Sequence, residues 1–353
     1  MDVRDSAEAL AAEWRALTQP ENSTPFQQYG LMRQFYRQLA VNGQGEPAIA
    51  LVRDAAGTVV AIFPMIRVWK HGLRWLRTDA RPLDYCAPIL DPSLSPADAG
   101  EIAAAVAEAV PRADLIYCNK MPDHFGTRPN PLVALPNAGR LRLSAWSIRL
   151  GGRTDQELLA AQHTFFRKKM RKRIRKMSTL HRRAFRIAVG ADIAAADYDA
   201  FRAMRSRSFE EKGRSNILDG GDWLPFYDAL MKGEAGECQP WLAVLEADDA
   251  PVAFLFGFLH GRTVQGLMPT SLLGSWRPYS LGHQLKQEVL LHFQRSGAEV
   301  FDMSIGDMQH KRHFGCEELA LYDAMFPCTW KGRAYYWMWQ IKIKIRSKLK
   351  SKS

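Results

Sequence analysis

The sequence lacks several features that would place it in a common protein class. It contains no run of 18 or more apolar residues, so we expect no segment that spans a membrane. Its five cysteines are scattered, with neither a CxxC pair nor a metal-ligand spacing, which predicts reduced thiols and no bound metal. It has no GxSxG, P-loop or dinucleotide-binding fingerprint, so the hydrolase, NTPase and dehydrogenase classes lack support.

The N-terminus also lacks the apolar core of a signal peptide, since its first residues read MDVRDSAEALAAEW. We therefore expect a cytoplasmic protein, with peripheral attachment to the inner face of the membrane if its basic tail binds lipid.

Acidic residues are missing from two stretches that hold much of the positive charge. Residues 167–186 contain eleven Lys or Arg, and the net charge of the whole chain is +11. One interpretation of residues 167–186 is a solvated helix face. We favour contact with an anionic acceptor, such as a sugar nucleotide, a lipid-linked sugar or a polysaccharide, and assign Arg175 to it. Nucleic acid is disfavoured because Phe165 and Phe166 are expected in the core.

The second basic stretch is the tail, residues 331–353, which contains eight Lys or Arg. Its aromatic run, Tyr335, Tyr336, Trp337 and Trp339, beside these cations is typical of a surface that rests on anionic lipid. The alternative is a last amphipathic element that packs on the C-terminal domain and ends in a frayed basic segment.

Two stretches of the chain resemble each other. Each is a strand, a turn, a second strand, a Gly-containing turn and a third strand, beginning at Pro47 and at Pro240. A helix and a short strand follow in both stretches. This spacing predicts two duplicated domains rather than a solenoid. The chain length of 353 residues also predicts two domains, at about 100–200 residues per domain.

A long helix is predicted between the copies, over residues 154–181, with a capping box at Thr154 and Glu157. Two further helices are predicted within 197–232. We place an N-terminal domain at 1–150, a C-terminal domain at 151–330 and the tail at 331–353.

The order of elements, with four motifs, carries a family resemblance. The motifs are TPFQQYGLMRQFY (24–36), VVAIFPMIR (59–67), SWRPYSLGHQLKQEVL (275–290) and FDMSIGDMQHKRHFG (301–315). The chain resembles the CelD/BcsL family of GNAT-type acyltransferases, which are linked to cellulose and exopolysaccharide biosynthesis. More distantly it resembles the FemABX transferases. The resemblance implies an α/β (α+β) fold of two tandem GNAT-like domains, each with a mixed, mostly antiparallel sheet flanked by helices.

The resemblance also implies a donor site for acyl-CoA, with acetyl-CoA as the expected co-substrate. A turn before the helix that begins near Leu281 would present backbone N–H groups to the pyrophosphate. The alternative is an ordinary helix start capped by Ser280. The candidate donor-binding residues form one run: Arg277, Ser280, Leu281, Gly282, His283 and Gln284. The N-terminal copy has no comparable turn, so we expect it not to bind donor.

Catalysis needs a base for the acceptor and a positive group for the developing oxyanion. Asp302 or a nearby histidine is the candidate base, and the resemblance gives Lys311 the oxyanion or acceptor-phosphate contact. Asp307 is a third candidate, with a turn cap as its alternative. His310 and His313 are interpreted as surface histidines.

In the N-terminal copy, Arg81, Asp84 and Tyr85 are candidate acceptor-binding residues in a cleft between the domains. The alternative is a structural turn around Pro82. The predicted activity is acyl transfer to a sugar or polysaccharide precursor. A FemABX-like aminoacyl transferase and a non-catalytic membrane-surface or nucleotide-sensing regulator are the alternatives.

Overall fold

The computed structural model describes residues 1–234, 236–306 and 309–350, and the chain forms two compact units. Unit 1 holds Met1–Arg142 together with the chain from Leu321 onward, and unit 2 holds Leu143–Ala320. These ranges differ from the predicted 1–150 and 151–330 because the last strand of each half of the chain joins the sheet of the other half.

The first half of the chain runs through these elements in order: β1 (Asp2–Arg4), α1 (Ala11–Leu17), α2 (Tyr29–Val41), β2 (Glu46–Arg53), β3 (Val59–Lys70), β4 (Leu73–Arg77), β5 (Ile89–Leu90), α3 (Pro96–Ala109), β6 (Leu115–Pro122), β7 (His124–Phe125), β8 (Arg128–Pro129) and β9 (Ala138–Arg149). Short 3-10 helices lie at Glu8–Leu10, Pro25–Gln27 and Pro131–Ala134.

The second half continues with α4 (Asp155–Ala161), α5 (Thr164–Leu180), β10 (Arg183–Val189), α6 (Ala195–Glu210), α7 (Leu224–Met231), β11 (Gln239–Ala247), β12 (Ala250–His260), β13 (Thr263–Ser271), α8 (Leu281–Arg295), β14 (Val300–Ile305), α9 (Gln309–His313), β15 (Glu317–Pro327) and α10 (Trp330–Lys350). Further 3-10 helices lie at Gly190–Asp192 and Gly274–Tyr279.

The two sheets have the same strand order and directions. Unit 1 has the order β1-β2-β3-β4-β6-β15, and unit 2 has the order β10-β11-β12-β13-β14-β9. In both sheets the pairs are antiparallel except for one parallel pair, β4 with β6 and β13 with β14. A helix, α3 or α8, connects the parallel strands. The predicted duplication and the mixed, mostly antiparallel sheets are therefore confirmed.

The last strand in each of these two orders comes from the other half of the chain. β9 follows β6 along the chain, yet its residues 145–149 pair with β14 in unit 2. β15 follows β14, and its residues 321–327 pair with β6 in unit 1. Sequence periodicity could not predict this exchange, since either pairing gives the same pattern of buried residues.

The core of unit 2 lies on both faces of its sheet. On one face α8 buries Leu281, Leu285, Val289 and Phe293, which recur every four residues and so share one side of the helix. On the other face α6 and α7 cover an aromatic cluster: Phe201, Tyr227, Phe254, Phe256 and Phe258. The two helices predicted within 197–232 are α6 and α7.

The predicted long helix over 154–181 is wrong in one respect, because the chain breaks it into α4 and α5. Gln162 and His163 adopt extended backbone angles between the two helices. The capping box at Thr154 and Glu157 is present at the start of α4. Phe166 is buried as expected, whereas the expectation that Phe165 lies in the core is wrong: it is 68% exposed, because adjacent residues of a helix face different directions.

The tail forms α10, which packs on unit 1 rather than on the C-terminal domain. Tyr335, Tyr336 and Trp339 pack against a cluster formed by Leu73, Trp75, Leu115 and Met325. In the part of the chain that the structure describes, no helix combines the length and apolar character needed to cross a bilayer.

Candidate functional site

The central strands of unit 2 diverge to form a fork. β13 and β14 pair only through Thr263–Gln265 and Val300–Asp302, within the described residues. β13 continues to Ser271 and β14 to Ile305 without further pairing to each other. Beyond Gln265, the edge of β13 that faces β14 therefore has no strand partner among these pairs, and a ligand can satisfy its backbone N–H and C=O groups.

A tight turn follows β13 and leads into α8. Ser280 precedes α8 with φ 54° and ψ 51°, the left-handed region that residues other than glycine rarely occupy. Its carbonyl oxygen accepts from the N–H groups of His283 and Gln284 at 2.9 and 3.2 Å. Backbone strain of this kind costs about 1–3 kcal/mol and is concentrated at functional sites.

The side chain of Ser280 does not cap α8, which argues against the ordinary capped helix start. Its hydroxyl instead accepts a hydrogen bond from the Arg173 guanidinium of α5. Burial lowers the pKa of Arg173. A partly desolvated cation therefore lies directly beside the start of α8, where the helix dipole also favours an anion.

Gly282 lies in the first turn of α8 with open space beside it. A Cβ placed on Gly282 would meet nothing closer than the Ser271 hydroxyl at 3.9 Å. Neither crowding nor a positive φ requires glycine at this position. Its missing side chain leaves room for a ligand to approach the backbone.

The other predicted donor-binding residues divide into buried and exposed members. Leu281 is buried in the core. The Gln284 amide is also buried. It donates to the Tyr279 carbonyl at 2.9 Å and accepts from Arg183 at 3.1 Å, so it stabilises the turn before α8. Arg277 is exposed at the surface of the turn.

A cluster of lysines and histidines lies beside α8. Lys286 Nζ lies 2.8 Å from His310 Nε2, and the rings of His283 and His310 are 5.3 Å apart. Burial, with a smaller contribution from Lys311, lowers the pKa of Lys286 to about 8. Burial also lowers the pKa of His283 to about 4 and that of His310 to about 3. Both imidazoles are therefore neutral at pH 7.

His310 lies on the short helix α9 and is half-buried, with its side chain against half-buried Lys286, so it is not a freely exposed surface histidine. His313 lies on the same short helix and packs against Phe166 at 5.7 Å between ring centroids. Sequence reasoning missed Lys286, because one lysine in an amphipathic helix gives no signal that its ammonium meets a histidine of α9.

Lys311 and Asp302 stabilise the carboxyl end of β14. Lys311 is 3% exposed and its ammonium donates to the carbonyls of Ser304 and Ile305 at 2.8 and 3.2 Å. The Asp302 carboxylate accepts from the Ser304 N–H at 2.5 Å. Ser304 itself has φ 62°, so a left-handed residue lies near the end of β14 as well as directly before α8. Asp307 lies outside the described residues.

Gln265 lies at the base of the fork and was not predicted. It is the last β13 residue paired with β14, in register with Asp302, and it is 0% exposed. Both polar atoms of its amide lack a hydrogen-bond partner among the described residues. Leaving a buried polar group unsatisfied costs about 1–3 kcal/mol, so this amide is available to a ligand or a water.

Arg175 lies on the exposed face of α5, where it is one of several exposed cations: Lys168, Lys169, Arg171, Lys172, Arg175 and Lys176. Lys176 is directed over the ring of Tyr279, with its Nζ 5.5 Å from the ring centroid. The basic helix therefore reaches the turn before α8 at Arg173 and Lys176.

The predicted acceptor residues Arg81, Asp84 and Tyr85 lie in unit 1, between β4 and β5. Tyr85 is 1% exposed, with its ring against Phe26, which gives it a packing role. Arg81 is the exposed member of the three. Their contact with an acceptor stays a prediction.

Comparison with known proteins supports a GNAT-like fold for unit 2. Residues 164–312, from α5 through most of α9, match the family model of the acetyltransferase (GNAT) domain. A search of curated protein sequences gives no match.

Solved structures share the fold at low sequence identity. FemX is 11% identical, with a TM-score of 0.61 over 96% of this chain and 99% of its own. A conserved protein of unknown function from Bacteroides thetaiotaomicron is 11% identical, with a TM-score of 0.58 over 92% and 99%. The C-terminal domain (DUF2156) of a putative lysylphosphatidylglycerol synthetase from Agrobacterium fabrum is 12% identical, with a TM-score of 0.52 over 94% and 96%. The predicted fold similarity to FemX is confirmed, whereas the resemblance to the CelD/BcsL family stays a prediction.

Proposed function

We propose that the chain is an acyl-CoA-dependent acyltransferase whose donor site is the fork and the adjoining turn of unit 2. One observation carries the proposal: the strands β13 and β14 diverge beside a strained Ser280 that is held by a partly buried Arg173. The match of residues 164–312 to an acetyltransferase domain model supports the same activity.

In this proposal the turn binds the pyrophosphate of the donor. The backbone N–H groups of Leu281 and Gly282, at the start of α8, and the guanidinium of Arg173 would face the phosphates, and Arg277 would add a second cation from the surface. The edge of β13 beyond Gln265 would pair with the amides of the pantetheine arm. The thioester would then lie at the base of the fork, next to Gln265 and Asp302.

Acyl transfer then proceeds by direct attack. The acceptor oxygen or nitrogen forms a bond to the thioester carbon, the carbon–sulfur bond breaks, and CoA leaves as the thiolate. Asp302 is the proposed base for the acceptor proton, which finally reaches the thiolate. Lys311 fixes the end of β14, and its charge stabilises the developing oxyanion.

The proposal also specifies the acyl donor and the class of acceptor. The donor is acetyl-CoA, and the acceptor is an anionic sugar nucleotide, lipid-linked sugar or polysaccharide. The exposed cations of α5, including Arg175, support an anionic acceptor because such a face repels itself unless an anion compensates it. Mass spectrometry of the surface glycan from a deletion strain would identify the missing acyl group and the acceptor.

Calorimetry with acetyl-CoA tests the donor site. Wild-type protein is expected to bind, and Gly282→Trp is expected to abolish binding because the indole fills the space beside the turn. Gly220→Trp is the matched control, since Gly220 also has open space around it and no positive φ. Absence of binding by the wild type, or undiminished binding by Gly282→Trp, would overturn the proposal.

A second candidate is a FemABX-like aminoacyl transferase that takes charged tRNA as donor. The fold shared with FemX and the exposed cations of α5 favour it. Filter binding of aminoacylated tRNA to wild type and to an Arg171→Glu, Arg175→Glu double variant would distinguish the candidates. Binding that the double variant loses, with no calorimetric signal for acetyl-CoA, would favour the aminoacyl transferase.

A further inference from the structure

The C-terminal helix of unit 1 has an apolar face that remains exposed. Trp330 is 75% exposed, Trp337 67%, Met338 58% and Ile341 37%. With exposed Ala334 these residues recur every three or four positions, so they form one continuous stripe along α10. The opposite face, Tyr335, Tyr336 and Trp339, packs on unit 1. Isolated exposed apolar residues are ordinary on a protein surface, whereas a stripe of this kind marks an interaction surface.

The helix cannot rotate to bury this stripe, because its first turn is fixed in place. A Cβ on Gly332 would lie 1.9 Å from the carbonyl oxygen of Asp114, so the backbone of α10 is in direct contact with the residue that precedes β6. The Thr329 hydroxyl donates to the Asp114 carboxylate at 2.9 Å and accepts from the Gly332 N–H at 3.3 Å. Further along, the ring of Tyr335 stacks on His71 at 6.3 Å between centroids.

The charge around the stripe has one sign. Lys331 and Arg333 are exposed in the first turns of α10. The sequence from Lys331 onward contains no Asp or Glu, and six further Lys or Arg follow the stripe at positions 342, 344, 346, 348, 350 and 352. A partner for this surface must therefore offer an apolar layer and negative charge side by side.

We propose that α10 lies in the interface of an anionic lipid bilayer, with its axis parallel to the membrane and Trp330, Trp337 and Met338 inserted below the headgroups. Tryptophan is favoured at this depth, and lysine and arginine beside it interact with anionic headgroups. A second copy of the chain would present the same positive charge and be repelled. The proposal concerns unit 1 alone and does not depend on acyl transfer.

Co-sedimentation of the full chain with lipid vesicles tests this proposal. Vesicles of equal parts phosphatidylglycerol and phosphatidylcholine are expected to bind the protein, and vesicles of phosphatidylcholine alone are expected to bind it at least about tenfold more weakly. The Trp337→Ser, Met338→Ser double variant should lose binding by about tenfold or more, since both side chains are mostly outside the protein core. Phe165→Ser is the matched control, because it removes an exposed aromatic beside cations on α5, and it should leave binding unchanged.

Circular dichroism checks that the double variant folds, and Trp330→Ser alone replaces it if it does not. Equal binding by wild type and a folded variant, or absence of binding to anionic vesicles, would overturn the proposal. Light scattering of the protein without lipid supplies a second readout. A dimer that the double variant abolishes would assign the stripe to self-association and would also overturn the proposal.

Discussion

Arg173 of α5 donates a hydrogen bond to the hydroxyl of Ser280, the left-handed residue that begins the turn before α8. Helix α5 thus places a cation at the start of helix α8. We predict that Arg173→Ala weakens acetyl-CoA binding by about tenfold, because both a charge and the support of the strained turn are lost. Arg175→Ala is the matched control, as Arg175 lies on the exposed face of α5. Equal losses in the two variants, measured by calorimetry, would show that only overall charge matters.

Gly282 should show opposite effects on stability and on binding. Gly282→Ala is expected to stabilise the protein by about 0.4–1 kcal/mol, because it restricts the unfolded chain and meets no neighbour closer than 3.9 Å. The same methyl group should weaken acetyl-CoA binding. Urea unfolding and calorimetry on one preparation measure both quantities. A destabilised variant would mean that glycine serves the fold.

Gln265 should likewise be unfavourable for stability and needed for activity. Gln265→Leu is expected to raise the free energy of unfolding by about 1–3 kcal/mol, because it removes a buried amide without hydrogen-bond partners. Gln284→Leu is the contrast, since that amide makes hydrogen bonds to Tyr279 and Arg183 and its loss should destabilise the protein. Transfer from acetyl-CoA to the acceptor should fall in the Gln265 variant. If urea unfolding gives the two variants equal destabilisation, Gln265 has a packing role.

We expect Lys286 to make the free energy of unfolding vary with pH in the alkaline range. Its pKa is lowered by burial from 10.5 to about 8, so the unfolded chain holds a proton between these values that the folded chain has released. Stability contributed by this group therefore rises with pH from about 8 to 10.5 and is lowest below pH 8. The difference between Lys286→Met and wild type should change across this window and be constant below it. Thermal unfolding at a series of pH values measures the difference; a constant offset up to pH 10.5 would show that the lysine titrates normally.

Much of the fold could be predicted from the sequence because its repeat is visible as two similar hairpins. The turns after Pro47 and Pro240 place strands at equivalent positions, and β2-β3-β4 and β11-β12-β13 follow. The stripe of α8 and the cap at Thr154 rest on local spacing, which sequence shows directly. The break at Gln162 was missed, since neither glycine nor proline marks it.

The site was harder to predict, because its chemistry depends on which side chains become desolvated or remain without a hydrogen-bond partner in the folded protein. The turn at Ser280 could be found from its Ser-x-Gly pattern before a helix. Gln265 and Lys286 could not, because the environment of each depends on strand divergence and helix packing rather than on neighbours in the chain. Lys311 was found through a family resemblance, yet its bonds to the carbonyls of Ser304 and Ile305 were visible only in the structure.

The exchanged strands also determine when each unit can be completed during synthesis. When only residues 1–150 have emerged from the ribosome, β6 can pair with β4 but not yet with β15, which spans Glu317–Pro327. At that stage the nascent chain carries β9 as well, whose partner β14 is still unmade. Both open edges can recruit other chains. A deletion that removes β15 therefore damages the sheet of unit 1, most of whose strands are translated first.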